Sequence, residues 1–513
     1  MLWVTAILVA AAVLLPLAYL VIRTLDGGSE TWDLLLRNRT AAILGRSVLL
    51  VFTVTTLSIA VGVPLAWLTS RTDMPVRELF AVATALPLVI PSYVAGFLFA
   101  VALGPKGMLQ GWLEPLGVDR LPDFFGLPGA TFTLVLLSYP YVMLPVRAMM
   151  SRIDPALEEA SRGLGHGSWV TFFRVNVPLL VPGILAGALL VALYTLSDFG
   201  AVSLMRYETF TSAIFVQYGS AIDRSLAAGL SLVLAVVAFS ILGIEAYTRS
   251  RSTYYRITPG ATRPATTVRL GRWRWLAVVF SGAVVSLALL LPMGILTYWL
   301  VRGLSAGEPL TVFWMATRNS LYVSGLAALA ATVASFPVAI LAVRYPGKLS
   351  GLLERSTYVG FALPGVAVAL GIVFFGAHYG GDLYQTTTLL VFAYVVLFLP
   401  AAVGTGRSAL LQISPQMEEA ARGLGKSPRR VFLLVTLPLM WRGTLAGAAL
   451  VFLLTMKELP ATLILSPIGF TTLATSIWSA ASEAFFARAA AASLLLILVA
   501  SVPLAFLSLR QHR

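Results

Sequence analysis

The sequence predicts an all-α membrane protein with about twelve spans arranged as two parallel six-helix repeats, and three observations predict it. Hydrophobic residues make up 58% of the chain and charged residues 11%, against about 25% charged in a typical soluble protein. Stretches of about 20 residues almost free of charge recur along its length, as membrane-crossing helices require. Finally, two polar islands 260 positions apart repeat each other: Asp154-Pro155-Ala156-Leu157-Glu158-Glu159-Ala160-Ser161-Arg162-Gly163-Leu164-Gly165 and Ser414-Pro415-Gln416-Met417-Glu418-Glu419-Ala420-Ala421-Arg422-Gly423-Leu424-Gly425.

The spans fall at roughly 2–22, 45–69, 78–103, 130–150, 179–205, 225–247, 275–301, 319–343, 355–377, 386–406, 441–464 and 488–509. The first has no basic flank before it and no small-residue cleavage site after it, so it reads as a retained helix rather than a signal peptide. An inside N-terminus places most of the 36 Lys and Arg in cytoplasmic segments, among them Arg71, Arg147, Arg344 and Arg407, and makes both termini cytoplasmic. The net charge of +14 is then an orientation signal and not a nucleic-acid footprint. With no Cys and three His, the chain has no disulfide framework and no thiolate metal site.

The duplication extends beyond the islands. Pro140 matches Pro400, Arg147 matches Arg407, and Leu185-Ala186-Gly187-Ala188 matches Leu445-Ala446-Gly447-Ala448 at the same offset. Upstream, Leu86-Pro87 aligns with Leu363-Pro364 at 277, which implies about 17 extra residues in the outer segment from Lys106 to Pro128. Six spans per half is an even number, so both halves enter the membrane in the same sense. Residues 1–247 form the first repeat and 275–513 the second, joined by a cytoplasmic linker, 248–274, rich in Arg, Thr and Pro.

In each island an N-cap and first-turn pair, Asp154-Pro155 or Ser414-Pro415, opens a helix. The glycines Gly163 and Gly165, or Gly423 and Gly425, stop it. A second short helix is expected from about Ser168 to Val175 and from about Ser427 to Val435, with Pro178 or Pro438 marking its exit. The second helices differ, Trp169-Val170-Thr171-Phe172 against Arg429-Arg430-Val431-Phe432.

The shared pattern, Glu-Ala-Ala/Ser, three residues, Gly, nine residues, then Val-x-Leu/Val-Pro, resembles the EAA loop of importer-type ATP-binding cassette permeases. The resemblance covers essentially the whole chain. It implies the type I importer permease fold, with EAA loops at about 154–178 and 414–438, and a transport subunit rather than an enzyme. It further implies that Glu159, Ala160, Gly165, Pro178, Glu419, Ala420, Gly425 and Pro438 couple this chain to two copies of an ATPase at the cytoplasmic face. ATP and Mg then reside on those subunits and no cofactor on this one; the sequence carries no Gly-rich phosphate loop. A periplasmic binding protein is the expected outer partner, the inner membrane the location, lipid the surroundings, and nucleic acid no partner.

Ionisable residues inside spans are functional candidates. Asp198 and Glu458 occupy equivalent positions near the outer ends of spans five and eleven. The competing reading is a solvated acid, with Lys457 neutralising Glu458. The stretches Leu196-Ser197-Asp198-Phe199-Gly200, Lys457-Glu458-Leu459-Pro460-Ala461-Thr462 and Thr472-Leu473-Ala474-Thr475-Ser476-Ile477-Trp478 look like those of fused ferric-iron permeases. The resemblance then makes Asp198 and Glu458 substrate-path or gate residues that hold Fe(III) transiently, in keeping with a hard ion's preference for oxygen. Thiamine and polyamine permeases share the EAA loop. A major-facilitator transporter also has parallel six-helix halves, but it would carry a Gly-Asp-Arg-rich loop where this chain has Ser70-Arg71-Thr72-Asp73-Met74-Pro75-Val76-Arg77.

Overall fold

The computed structural model describes residues 2–118, 121–151, 153, 155–220, 224–251, 267–308 and 313–511. Asp154, His512 and linker residues 252–266 lie outside the described residues. A backbone in hydrocarbon has no water to bond with, so an apolar chain satisfies its N–H and C=O groups within helices. Among the described residues all regular structure is helical, apart from one isolated bridge between Thr72 and Val268. Among the described residues, ten helices are long and apolar enough to cross a membrane. An eleventh joins them if Lys348–Ala362 and Gly365–Tyr379, bent by 106°, count as one span. The protein is an all-α, multi-pass membrane protein.

Several expected boundaries move, each for a backbone reason. The stretch 78–103 is not one helix. Arg77–Ala83 gives way to a tight turn at Leu86–Val89, and Ser92–Leu103 begins after Pro91. Pro91 and Pro364 both sit at N-caps with extended backbone, ψ 149° and 146°. Proline lacks an N–H and drives its predecessor out of the α region, so it favours the start of a helix over its interior. This geometry pairs Pro91 with Pro364 at an offset of 273 in place of 277, and the first half's extra outer segment shrinks to about 13 residues.

Pro178 and Pro438 are not exits. The π turns Phe172–Asn176 and Phe432–Thr436 run straight into Val177–Ser197 and Leu437–Met456. A proline ring crowds the carbonyl four residues back. Here the turn just before each proline is widened: Val177 donates its N–H to the Phe172 carbonyl and Leu437 to that of Phe432, five residues back. The helix therefore continues through the proline. Ser286–Leu290 precedes Pro292 in the same way. At their far ends these spans stop earlier than expected, at Ser197 and Met456, just before the two acids.

By contacts the chain forms two compact units that interleave the sequence. One comprises Met1–Thr40, Ala213–Ala235 and Arg302–Arg513; the other comprises Ala41–Ser212 and Val236–Val301. Within the first, the opening helix Leu2–Asp26 packs on Gly365–Tyr379 so closely that a Cβ on Gly371 would lie 2.5 Å from the Pro16 carbonyl. Tyr19 meets Phe375 edge-on at 6.3 Å in the same contact. Within the second, Trp273–Val285 packs on Arg77–Ala83, and Ala277 shares a buried cluster with Leu68 and Met74. The helix that opens each sequence repeat is thus built in among helices of the other repeat.

Candidate functional site

The islands fold as Pro155–Gly163 and Pro415–Gly423. In the second, the Ser414 hydroxyl accepts the Gln416 N–H at 3.4 Å and opens the helix as its cap. Both end in the same turn. Gly165, at φ +85°, donates its N–H to the Arg162 carbonyl at 2.9 Å, and His166 donates to Ser161 at 3.3 Å. Gly425, at φ +80°, donates to Arg422 at 2.9 Å, and Lys426 to Ala421 at 3.2 Å. These paired bonds satisfy last-turn carbonyls and need a left-handed residue, which costs any L side chain about 1–2 kcal/mol. A Cβ at either glycine would meet nothing within 4 Å, so the constraint is conformational and not steric.

Consecutive residues on a helix point about 100° apart, and the Glu-Glu pairs divide accordingly. Glu159 and Glu419 are exposed, beside exposed Ala160 and Ala420. Glu158 and Glu418 are buried, 4% and 6% exposed. Glu158 pairs with Arg71, the last residue of Asn38–Arg71, and accepts from Asn176 Nδ2 at 3.1 Å. Glu418 pairs with Arg344, the last residue of Phe313–Arg344, whose Nε and Nη2 reach the carboxylate at 3.1–3.3 Å; Thr436 Oγ1 adds a bond at 3.1 Å. Sequence reasoning counted both arginines only as orientation signals and passed over both buried glutamates. The duplicated Glu-Glu was the available clue, because two adjacent residues point about 100° apart and one of them can face inward.

On the outer face of each turn a leucine stands in solvent, Leu164 at 79% and Leu424 at 82% exposure. Beside the exposed Glu159, Gly165, Glu419 and Gly425 these form an apolar tip with an acidic flank. Pro178 and Pro438 are exposed too, on the continuing helices. The islands then diverge: the first shows Phe173 and Arg174, the second Arg429, Arg430, Leu433 and Leu434. The Ser168 and Trp169 side chains lie outside the described residues.

The two acids end their spans by capping the next short helix. Asp198 is buried, and its Oδ1 accepts the N–H groups of Ala201 and Val202 at 3.0 and 3.2 Å, opening Gly200–Leu204. Glu458 accepts the Ala461 N–H at 3.1 Å and opens Pro460–Leu465. Their surroundings differ. Glu458 lines a narrow crevice with the hydroxyl-bearing Ser320, Ser324, Tyr394, Thr455 and Thr472. Tyr394 is buried, with its OH 2.6 Å from Thr462 Oγ1, and the buried Ser324 hydroxyl has no hydrogen-bond partner among the described residues. Among the described residues no three His, Cys, Asp or Glu side chains gather as a metal cluster. The oxygen donors at Glu458 are hydroxyls joined to one carboxylate.

Residues 58–306 and 313–512 each match the family described as the binding-protein-dependent transport system inner membrane component. The Fe(3+)-transport system permease protein FbpB 2 of Haemophilus influenzae is 36% identical over 509 residues, covering 98% of this chain and 97% of that protein. The ferric transport system permease protein FbpB of Actinobacillus pleuropneumoniae is 23% identical over 426 residues, 78% of this chain and 61% of its own length. The molybdenum transport system permease protein ModB of Escherichia coli is 33% identical over 198 residues, 36% of this chain and 83% of its own. Together with the duplicated islands and the multi-pass helical fold, the two matches span nearly the whole chain. The chain belongs to the binding-protein-dependent transport system inner membrane component family.

Proposed function

We propose that this chain is the fused permease of an ATP-binding cassette importer that moves Fe(III) from a periplasmic binding protein to the cytoplasm by alternating access. One observation carries the substrate: 36% identity across 98% of the chain to a permease named for Fe(3+) transport. The chain performs no catalysis of its own; ATP and Mg act on two partner ATPases. Those subunits grip the islands through Glu159, Ala160, Gly165, Glu419, Ala420 and Gly425, with Pro178 and Pro438 carrying the motion into spans five and eleven. The exposed Leu164 and Leu424 support this reading, since a solvated leucine beside a rigid turn suits insertion into a partner's groove. Twelve spans form two parallel six-helix repeats, 1–247 and 275–513, joined by the linker 248–274, in the inner membrane with both termini cytoplasmic.

Asp198 and Glu458 guard the outer part of the path and hold the ion transiently. Each corner carries a carboxylate, and Fe(III) takes oxygen donors. The test is uptake by vesicles containing this chain, its ATPase and candidate binding proteins, offered Fe(III), thiamine or molybdate. ATP-dependent Fe(III) accumulation is the expected result. Accumulation of thiamine or molybdate in its place, or movement of substrate without an ATPase, would overturn the proposal.

A further inference from the structure

Each island is held to the membrane domain at a defined point, and the same point is used twice. Glu158 meets Arg71 and Glu418 meets Arg344, and each arginine is the last residue of the second span of its half. A ring contact reinforces each junction. Phe172, the first residue of one π turn, lies edge-on to Trp67 of Asn38–Arg71 at 6.0 Å, and Phe432 lies edge-on to Phe336 of Phe313–Arg344 at 5.6 Å. One face of the island helix therefore carries Glu159 or Glu419 outward while the adjacent residue grips span two.

We propose that Arg71–Glu158 and Arg344–Glu418 are positioning pairs that transmit island movement to the cytoplasmic ends of the second spans. This inference rests on the docking role given to the islands above. Two features favour transmission over mere stabilisation. A buried ion pair is a poor stabiliser, since well-packed apolar side chains of the same volume do as well or better, whereas it does fix one relative geometry of two elements. The pairs also persist where their surroundings change. Asn176 supports the first and Thr436 the second, and the Ser161–Thr171 hydroxyl contact of the first island has Ala421 and Val431 in its place in the second. Arg344 Nη2 further bonds the Ile413 carbonyl at 3.0 Å, which ties the segment entering the island to the same guanidinium.

The experiment uses the whole complex in vesicles and measures three quantities: Fe(III) delivered, ATP hydrolysed, and ATPase bound. The last is read by photocrosslinking from a benzophenone maleimide on Gln416→Cys, an exposed position in a chain with no other Cys. Arg344→Gln, and Arg71→Gln in turn, are expected to keep the crosslink and the hydrolysis while lowering Fe(III) delivered per ATP about tenfold, the scale of coupling expected for groups in direct contact. Arg344→Lys keeps the charge but not the two-nitrogen grip, and should recover part of the ratio. A ratio unchanged in both Gln variants overturns the assignment, and so does a proportional loss of crosslink, hydrolysis and delivery, which marks the pairs as folding contacts only. Failure of the crosslink in the chain with native arginines would instead sink the docking role itself.

Discussion

The islands and the acid corners are both duplicated, yet they have aged differently. The islands repeat in backbone and in chemistry: φ +85° and +80° at the turn glycines, a buried glutamate behind each, and an exposed leucine at each tip. The acid corners repeat in backbone only. Asp198 takes two backbone bonds on one oxygen and also bonds the Ser92 hydroxyl, whereas Glu458 takes one backbone bond and shares its crevice with the hydroxyls of Ser320, Ser324, Tyr394 and Thr472. Two copies of one ATPase would require like surfaces at the islands, while a single ion needs no symmetry in its donors. If the islands dock ATPases and the corners hold the ion, as proposed, their different degrees of repetition follow.

The largest effect should test this division directly. Glu458→Gln keeps an oxygen for the Ala461 N–H and removes only the charge. Losing a charged partner is worth about 1.5–3 kcal/mol, so Fe(III) uptake should fall about ten- to hundredfold, with the ATPase still bound. Asp198→Asn, equally isosteric, should cost less, because that carboxylate is already committed to two backbone donors. Equal losses in a side-by-side uptake assay would erase the distinction between the corners.

A smaller effect, and an equal one, is expected at the islands. Gly165→Val and Gly425→Val each force a β-branched residue into the left-handed region, at about 1–2 kcal/mol. With open space around either Cβ, the penalty should be the same in both. Fe(III) delivered per ATP should drop about five- to thirtyfold in each variant. A clear inequality would mean that the two ATPase contacts differ at the turn itself, and not only in the second helices.

How far the sequence revealed these features depends on how local their causes are. The island helices and their glycine stops rest on the preferences of adjacent residues, so letters alone announce them. The passage through Pro178 and Pro438 did not announce itself, because a proline after an apolar run reads as a stop unless the widened turn before it is known. The ends of spans five and eleven were hidden as well: Phe199-Gly200-Ala201-Val202 continues the apolar pattern while its backbone has already turned at Asp198. The arginine partners were out of reach for a different reason. Glu158 and Arg71 are 87 positions apart, and positive charge at an inner helix end is explained by orientation before any pairing is suspected. Likewise, nothing in the periodicity of Leu2–Asp26 says that it will pack on Gly365–Tyr379, since apolar helix faces are chemically interchangeable.

The smallest effect concerns the helix starts beyond the acids, where the two halves differ in one capping hydrogen bond. Leu473–Ser482 begins with a reciprocal cap: the Thr472 N–H donates to Thr475 Oγ1 at 2.9 Å, and the Thr475 N–H donates to Thr472 Oγ1 at 3.3 Å. Among the described residues the first half shows only the forward bond, from the Thr209 N–H to Ser212 Oγ at 2.9 Å. The Thr209 hydroxyl is drawn instead to Thr211, which reaches back to the Asp198 carbonyl. Both starts are braced from span two, by Ser320 under the Leu473 N–H and by Ser47 under that of Phe210. Thr472→Ala therefore removes a true N-cap, worth about 1 kcal/mol, and should speed hydrogen exchange at the Thr475 amide about fivefold. Thr209→Ala removes no cap, and exchange at Ser212 should change by less than about twofold on the same scale. If the two amides respond alike, the corners share a capping geometry after all, and the asymmetry at Glu458 would have to arise from its hydroxyl neighbours alone.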